Sequence, residues 1–278
     1  MFKYLLLILG LIFASLGGIY FFVGVPRINP TIFQQPAIPH LYNNPDIKIE
    51  NIQIFAFYFV PKNKTVKENW RNTMESGLNR LQEFHKLQFL QRSKISYNIF
   101  PEPVIGEREI LFYDTETTNR GNPQALINSS NEIERRVFRS DGNLFYVDFP
   151  RSTDKSYPVL FIMYEGVGAS GGIINESGEN LTSAEIAKKL NLPESIIYIV
   201  DVKSTDGFFL VNREILEGKH GQNGQSILAH EFYHTLGLSD EYSLEDASAR
   251  SADIMGLGRF KPIENTYISK KLMASLGL

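Results

Sequence analysis

Positions 52–60 read IQIFAFYFV, a nearly unbroken apolar run rich in β-formers, which predicts a strand covered on both faces. The period then changes. Val66, Trp70, Met74, Leu78, Leu81 and Phe84 recur every three or four residues, an apolar stripe along one face of a long helix, with Thr65 and Glu68 at capping-box spacing ahead of it. Further strands are predicted at 95–100, 144–149, 159–164 and 196–202. Shorter helices are predicted over 130–139 and 183–190, the second stopped before Pro193. Strand and helix alternate, so the fold class is α/β (α+β), one sheet with helices packed on its faces.

Two stretches lie outside this pattern. Residues 4–25 carry no charge, and 22 residues at about 1.5 Å rise span roughly 33 Å, enough to cross a bilayer core. The run exceeds a secretory signal core and ends aromatic at Tyr20, Phe21 and Phe22, so 1–25 is expected to be an uncleaved anchor, with a cleaved signal as the alternative. Residues 26–50 hold Pro26, Pro30, Pro36, Pro39 and Pro45, which resist regular structure and suggest a stalk, although Ile32, Phe33 and Leu41 favour part of it lying on the domain. The remaining 51–278 form one domain, expected on the extracytoplasmic side of a membrane, or secreted if the segment is cleaved.

Composition removes several classes of chemistry. The 278 residues contain no cysteine, which excludes disulfides, thiolate metal sites and cysteine nucleophiles, so any metal is held by His, Asp or Glu. The 28 Lys and Arg against 31 Asp and Glu give a net charge of -3, so no nucleic-acid partner is expected.

The chemistry gathers in 224–242, GQSILAHEFYHTLGLSDEY. His230 and His234, four apart on a predicted helix, project from one face and can share a tetrahedral cation. Glu231, turned about 100° from His230, stands beside that cation, where a carboxylate can take a proton from water. Ile227, Leu228, Leu236 and Leu238 would bury the helix. Gly237 permits a left-handed helix end that returns the chain toward the site, and Asp240 follows three residues later as a third ligand; Glu241 is the alternative oxygen. Two imidazoles and one carboxylate leave a position open, as catalytic zinc sites do.

His230, Glu231, His234, Gly237 and Asp240 fall on the spacing HExxHxxGxxD, and 253–256 (DIMG) follow downstream. Over 225–256 the sequence resembles the metzincin clan of zinc metallopeptidases, with Met255 at the place of the Met-turn methionine and Asp240 resembling the snapalysin-like branch, in which an aspartate is the last ligand. The resemblance implies a mixed, twisted five-stranded sheet above a cleft and an antiparallel edge strand that aligns an extended peptide. It also implies Zn2+ as cofactor and a peptide or protein substrate. The tyrosine some metzincins carry two residues past the methionine is Leu257 here, and no other oxyanion donor is identifiable; Tyr242 and Tyr267 are the tyrosines to weigh.

The function read from these residues is a membrane-tethered zinc endopeptidase with Glu231 as general base. A non-catalytic zinc-containing cell-surface binding protein and a zinc hydrolase of small non-peptide substrates are the alternatives. His40 and His85 read as stalk and helix-surface residues and His220 as solvated. The glycine-rich 166–172 (GVGASGG) lacks a phosphate-loop pattern and reads as a flexible loop lining the cleft.

Overall fold

The computed structural model describes residues 37–114, 121–137, 156–176, 181–200, 206–219, 223–241 and 252–278. The chain divides into two units, Met1–Pro36 and Ala37–Leu278, and every described residue belongs to the second. The expected anchor, most of the first half of the stalk, the strand at 144–149, His220 and Tyr242 lie outside the described residues. Among the described residues no helix is long and apolar enough to cross a membrane.

Residues 40–48, assigned by their prolines to an extended stalk, instead fold back as a two-stranded antiparallel sheet, β1 (His40–Leu41) and β2 (Asn44–Lys48). Leu41 is fully buried, as its apolar side chain demands, and three backbone amides here donate into the rest of the domain: His40 to Leu276 O, Tyr42 to Leu236 O and Asn43 to Ser275 O. Next come β3 (Asn51–Val60), the long helix α1 (Trp70–Gln88), β4 (Lys94–Ile99), the short β5 (Val104–Ile105), α2 (Ile110–Tyr113) and α3 (Pro123–Val137). The second half contains β6 (Ser156–Tyr164), β7 (Ala169–Glu176), α4 (Ser183–Leu190), β8 (Ile197–Val200), β9 (Gly207–Asn212), α5 (Arg213–Leu216), α6 (Gly224–His234) and α7 (Lys270–Ser275).

The main sheet runs β4-β3-β6-β9-β7-β8, with β5 added beside β3. All pairings are parallel except β7 with β9. Among the described residues seven strands stand where five were expected, and the antiparallel strand is not the last one, because Ile197–Val200 pairs with its far half from Ile173 to Glu176. Strand side chains alternate between faces, so β3 divides its apolar residues between two layers. Ile52, Ile54, Ala56, Tyr58 and Val60 enter the cluster that contains Met74 and Leu78 of α1 and Leu228 and Phe232 of α6. Phe55, Phe57 and Phe59 enter the cluster that contains Ala125, Leu126 and Ile133 of α3. With both faces covered, the unbroken apolar run is what the position requires.

Three sequence expectations change here. The helix begins at Trp70 with no side-chain cap, not at the Thr65–Glu68 box, because Lys67 N is drawn to the Tyr58 hydroxyl (3.2 Å) and Val66 is exposed. The helix placed at 130–139 is the later part of α3, which starts at Pro123, a residue whose fixed φ suits a first turn. Residues 169–172 are strand, and β9 (GFFLVN) is a fully buried strand that the apolar pattern did not single out.

At the C-terminal ends of the parallel strands, buried Arg213 pairs with Glu165, which also accepts the Tyr58 hydroxyl at 2.5 Å. Arg213 reaches Glu217 as well, at 2.5 Å. A buried charge is tolerable only when paired in this way. The network ties the ends of β3, β6 and β9 together beside the α5–α6 segment.

Candidate metal centre

Helix α6 packs on the sheet face that also carries α1 and is largely apolar: Leu228, Ala229, Phe232 and Tyr233 are fully buried. Polar residues on a helix buried over most of its surface must answer to partners. Ile227 differs from the expectation of burial and lines the cleft. Gly171 of β7 crosses α6 so closely that a Cβ there would overlap the Glu231 carbonyl, which is why a glycine-rich sequence makes a strand at this point.

After His234 the helix ends at Gly237, φ +91°, whose amide donates to His234 O (3.1 Å). Only glycine adopts that conformation without strain, and the turn sends the chain back across the histidines. Asp240 then lies with Oδ1 3.2 Å from His230 Nε2 and 3.6 Å from His234 Nε2. The neighbouring Glu241 instead reaches Lys271 (3.3 Å), while its amide donates to Met255 O (2.8 Å). The geometry thus brings Asp240, and not Glu241, to the imidazoles.

Each histidine is oriented by a backbone carbonyl: His230 Nδ1 donates to Ile254 O (2.8 Å) and His234 Nδ1 to Leu238 O (2.7 Å). A carbonyl oxygen can only accept, so Nδ1 of each ring carries a proton and Nε2 is the nitrogen that can offer a lone pair to a metal. The two Nε2 atoms are 3.1 Å apart. Burial, first, and then the neighbouring His230 depress the His234 pKa to about 4; Asp240 and the Leu238 carbonyl lift it and Arg259 lowers it further, so that ring is neutral near pH 7. Burial raises the Asp240 carboxyl, but the surrounding His230, His234 and Arg259 outweigh it and hold the group below its ordinary value. Three electron-pair donors therefore converge, an arrangement that repels itself unless a cation lies among them.

The donor set fits zinc. Bonds of about 2.0–2.1 Å in a tetrahedron separate ligand atoms by about 3.3 Å, against the 3.1, 3.2 and 3.6 Å found here. Glu231 belongs to the same group, its oxygen within 4.8 Å of the histidine nitrogens. Burial pushes its carboxyl up to about 7; His230 and Arg259 oppose the shift and Asp240 adds to it.

Beneath the imidazoles runs the segment around Met255, which is fully buried. Its turn is pinned by Asp253, a buried carboxylate that accepts Met255 N (2.9 Å) and Ser269 N (3.0 Å). The Asp253 carbonyl accepts Gly256 N and Gly258 N. Because Ile254 O holds His230 and Met255 O holds Glu241 N, this turn orients one donor and the chain bearing another. Asp253 thus ties its own turn to residue 269, a partner 16 positions away that sequence spacing does not reveal.

The site opens into a cavity of about 530 Å³ lined by Gly171, Ile196, Tyr198 and Arg259 together with the histidines and Glu231. Arg259 is a residue sequence reasoning missed, four positions past Met255 and on no motif position. Tyr267 is not among the lining residues; its backbone pairs with Ala252 and Ile254. His85, expected on a helix surface, is 1% exposed and stacked on Phe89 with ring centroids 4.0 Å apart.

No protein-family model matches the chain and no curated protein matches it. Among solved structures it is similar to wild-type OgpA from Akkermansia muciniphila, at 12% identity and a TM-score of 0.43 over 81% of this chain and 59% of that one. It is similar to metalloproteinase-II from Bacteroides fragilis at 11% identity and a TM-score of 0.40, over 86% and 56% of the two chains. For the archaemetzincin of Methanopyrus kandleri the values are 10% and 0.35, over 82% and 94%. The chain thus spans less than two thirds of the length of the first two.

Proposed function

We propose that this protein is a zinc-dependent endopeptidase tethered to a membrane by residues 1–25, with its catalytic domain outside the cytoplasm. The observation that carries the reading is the convergence of two carbonyl-oriented Nε2 lone pairs and the Asp240 carboxylate at tetrahedral spacing, with a buried carboxylic acid beside them. His230, His234 and Asp240 would hold the metal. Bound there, zinc supplies Lewis-acid chemistry, polarising a carbonyl and making water a better nucleophile.

The chain's own groups do the rest. Glu231 takes the proton from the attacking water and hands it to the departing amine. A carboxyl shifted to about 7 by burial has comparable affinity for a proton in both directions near neutrality, which suits a carrier. Gly171, on the strand that crosses α6, offers its backbone at the cavity wall. Ile227, Ile196 and Tyr198 supply apolar wall against a substrate side chain.

The test uses the full chain in detergent, loaded with zinc and given a mixed peptide library. Wild type is expected to bind about one zinc per chain and to cleave, with Glu231→Gln keeping the metal and losing about 10²- to 10⁴-fold in rate. Zinc bound by both proteins with no cleavage by either would instead support a non-catalytic binding protein. Cleavage confined to small non-peptide esters or amides would point to the other hydrolase class.

A further inference from the structure

The open question at the site is what receives the negative charge that builds on the substrate's carbonyl oxygen. Water adds to the carbonyl carbon, the π electrons move onto oxygen, and the water's proton passes to Glu231; when the C–N bond breaks, that proton leaves on the amine. Throughout, the oxygen needs a fixed donor, and Leu257, at the position where some metzincins carry a tyrosine, has no polar atom to offer.

Resting on the peptidase reading, we propose that Arg259 is that donor, a catalytic residue that holds the carbonyl oxygen of the scissile bond as it becomes an oxyanion. Arg259 Nη1 is 3.5 Å from His230 Nε2, so the guanidinium faces the point where the donor atoms converge and not a distant subsite. A carbonyl oxygen beside that point, in the cavity that Arg259 also lines, is the group this guanidinium is placed to meet. The side chain lines the same cavity as His230, Glu231, His234 and Asp240.

The residue is pre-positioned. It stands on the 3-10 turn Leu257–Phe260, whose start is fixed by Gly258 N donating to Asp253 O (2.9 Å). The turn's end is held to the N-terminus of α6 by Asn223 Nδ2 to Phe260 O and Ser226 Oγ to Lys261 O, each 2.5 Å. The guanidinium lies over the Phe260 ring with Cζ 4.7 Å from its centroid, a cation–π contact that narrows its range of positions. The backbone that aims Arg259 is therefore anchored to the helix bearing His230 and Glu231 and to the turn bearing Met255.

Charge gives an independent reason. A carboxylate at Asp240 in place of a third neutral imidazole makes the ligand set one unit more negative, which weakens the pull of a bound cation on a developing oxyanion. Arg259 restores one positive charge at the rim, where it acts on the substrate oxygen without occupying a ligand position. A lysine would restore the charge but not the planar fork, so the two cations are expected to differ.

The experiment compares full-length, zinc-loaded wild type, Arg259→Lys and Arg259→Gln. It measures zinc content, kcat and KM on one cleaved peptide, and the affinity of a phosphinic peptide of the same sequence, whose charged oxygens mimic the oxyanion. Peptide binding without turnover is measured in the Glu231→Gln background. Arg259→Gln is expected to lose about 100-fold or more in kcat and in phosphinic-peptide affinity. Zinc content, KM and ground-state peptide binding should stay within about threefold, with Arg259→Lys intermediate. Unchanged kcat and phosphinic affinity in folded, zinc-loaded Arg259→Gln would overturn the proposal, as would a loss that merely follows loss of zinc. Should Arg259→Gln not fold, the same split is read from Arg259→Lys and from restoration of Arg259→Ala turnover by guanidinium ion. Failure of the zinc-loaded wild type to cleave any peptide would remove the peptidase reading itself, and the role of Arg259 with it.

Discussion

Two buried histidines on neighbouring helices show what separates a packed imidazole from one placed to meet a metal. His85 on α1 and His234 on α6 are both almost fully buried, and burial drives both pKa values down, to about 3 and about 4. Their surroundings differ. His85 stacks on Phe89 and meets the Tyr233 hydroxyl at 3.3 Å through Nδ1, and its Nε2 has no hydrogen-bond partner among the described residues. His234 is held by a carbonyl on one side and faces His230 and Asp240 on the other. Desolvation keeps either ring neutral; only fixed tautomers aimed at other donors make a metal site.

The comparison can be broken most sharply by removing each histidine in turn. His230→Ala or His234→Ala should drop bound zinc from about one per chain to near zero, whereas His85→Phe should leave it unchanged, measured by elemental analysis. Next in size, Asp240→Ala should cost far more zinc affinity than the about 10- to 100-fold typical of an outer contact, and Glu241→Ala no more than that, read by competition with a chelator.

A smaller effect concerns pH. His85 is depressed from 6.5 to about 3 in the folded chain, so it stays neutral there while the unfolded chain takes up a proton. Its contribution is therefore full above about pH 6.5 and erodes as pH falls toward 3, by up to about 1.4 kcal/mol per pH unit. His85→Phe should flatten that part of the stability curve of the metal-free protein in urea unfolding across this range; an unaltered slope would contradict it. Smallest, Gly237→Ala should destabilise by about 1–3 kcal/mol, since φ is +91° and the added methyl meets Tyr42 at 2.6 Å, with zinc affinity falling as Asp240 is displaced.

The centre was legible because its donors are close in sequence. His230, Glu231 and His234 share one helix, Gly237 announces the turn, and Asp240 comes within six residues of His234, so local geometry decides where they go. Arg259 was not legible, because its aim depends on Asn223, Ser226 and Asp253 anchoring its turn from three sides. The strands at 52–60 and 159–164 were visible as apolar runs, and 95–100 as a short segment of β-formers interrupted by Ser96 and Asn98. Residues 169–172 were not, since glycine there answers to the close passage of α6, a contact with residue 231 that no local window contains. β9 is too short an apolar run to distinguish by periodicity. His85, by contrast, could have been placed: it lies four residues past Leu81 on the same buried stripe.

The most direct measurement is zinc K-edge X-ray absorption on the loaded full-length protein beside its Asp240→Ala variant. The account predicts one zinc per chain with two imidazole nitrogens and carboxylate oxygen at about 2.0–2.1 Å, the imidazole signal weakening or vanishing when Asp240 is removed. Spectra of a hydrated ion lacking imidazole scattering, or spectra identical in the two proteins, would contradict it.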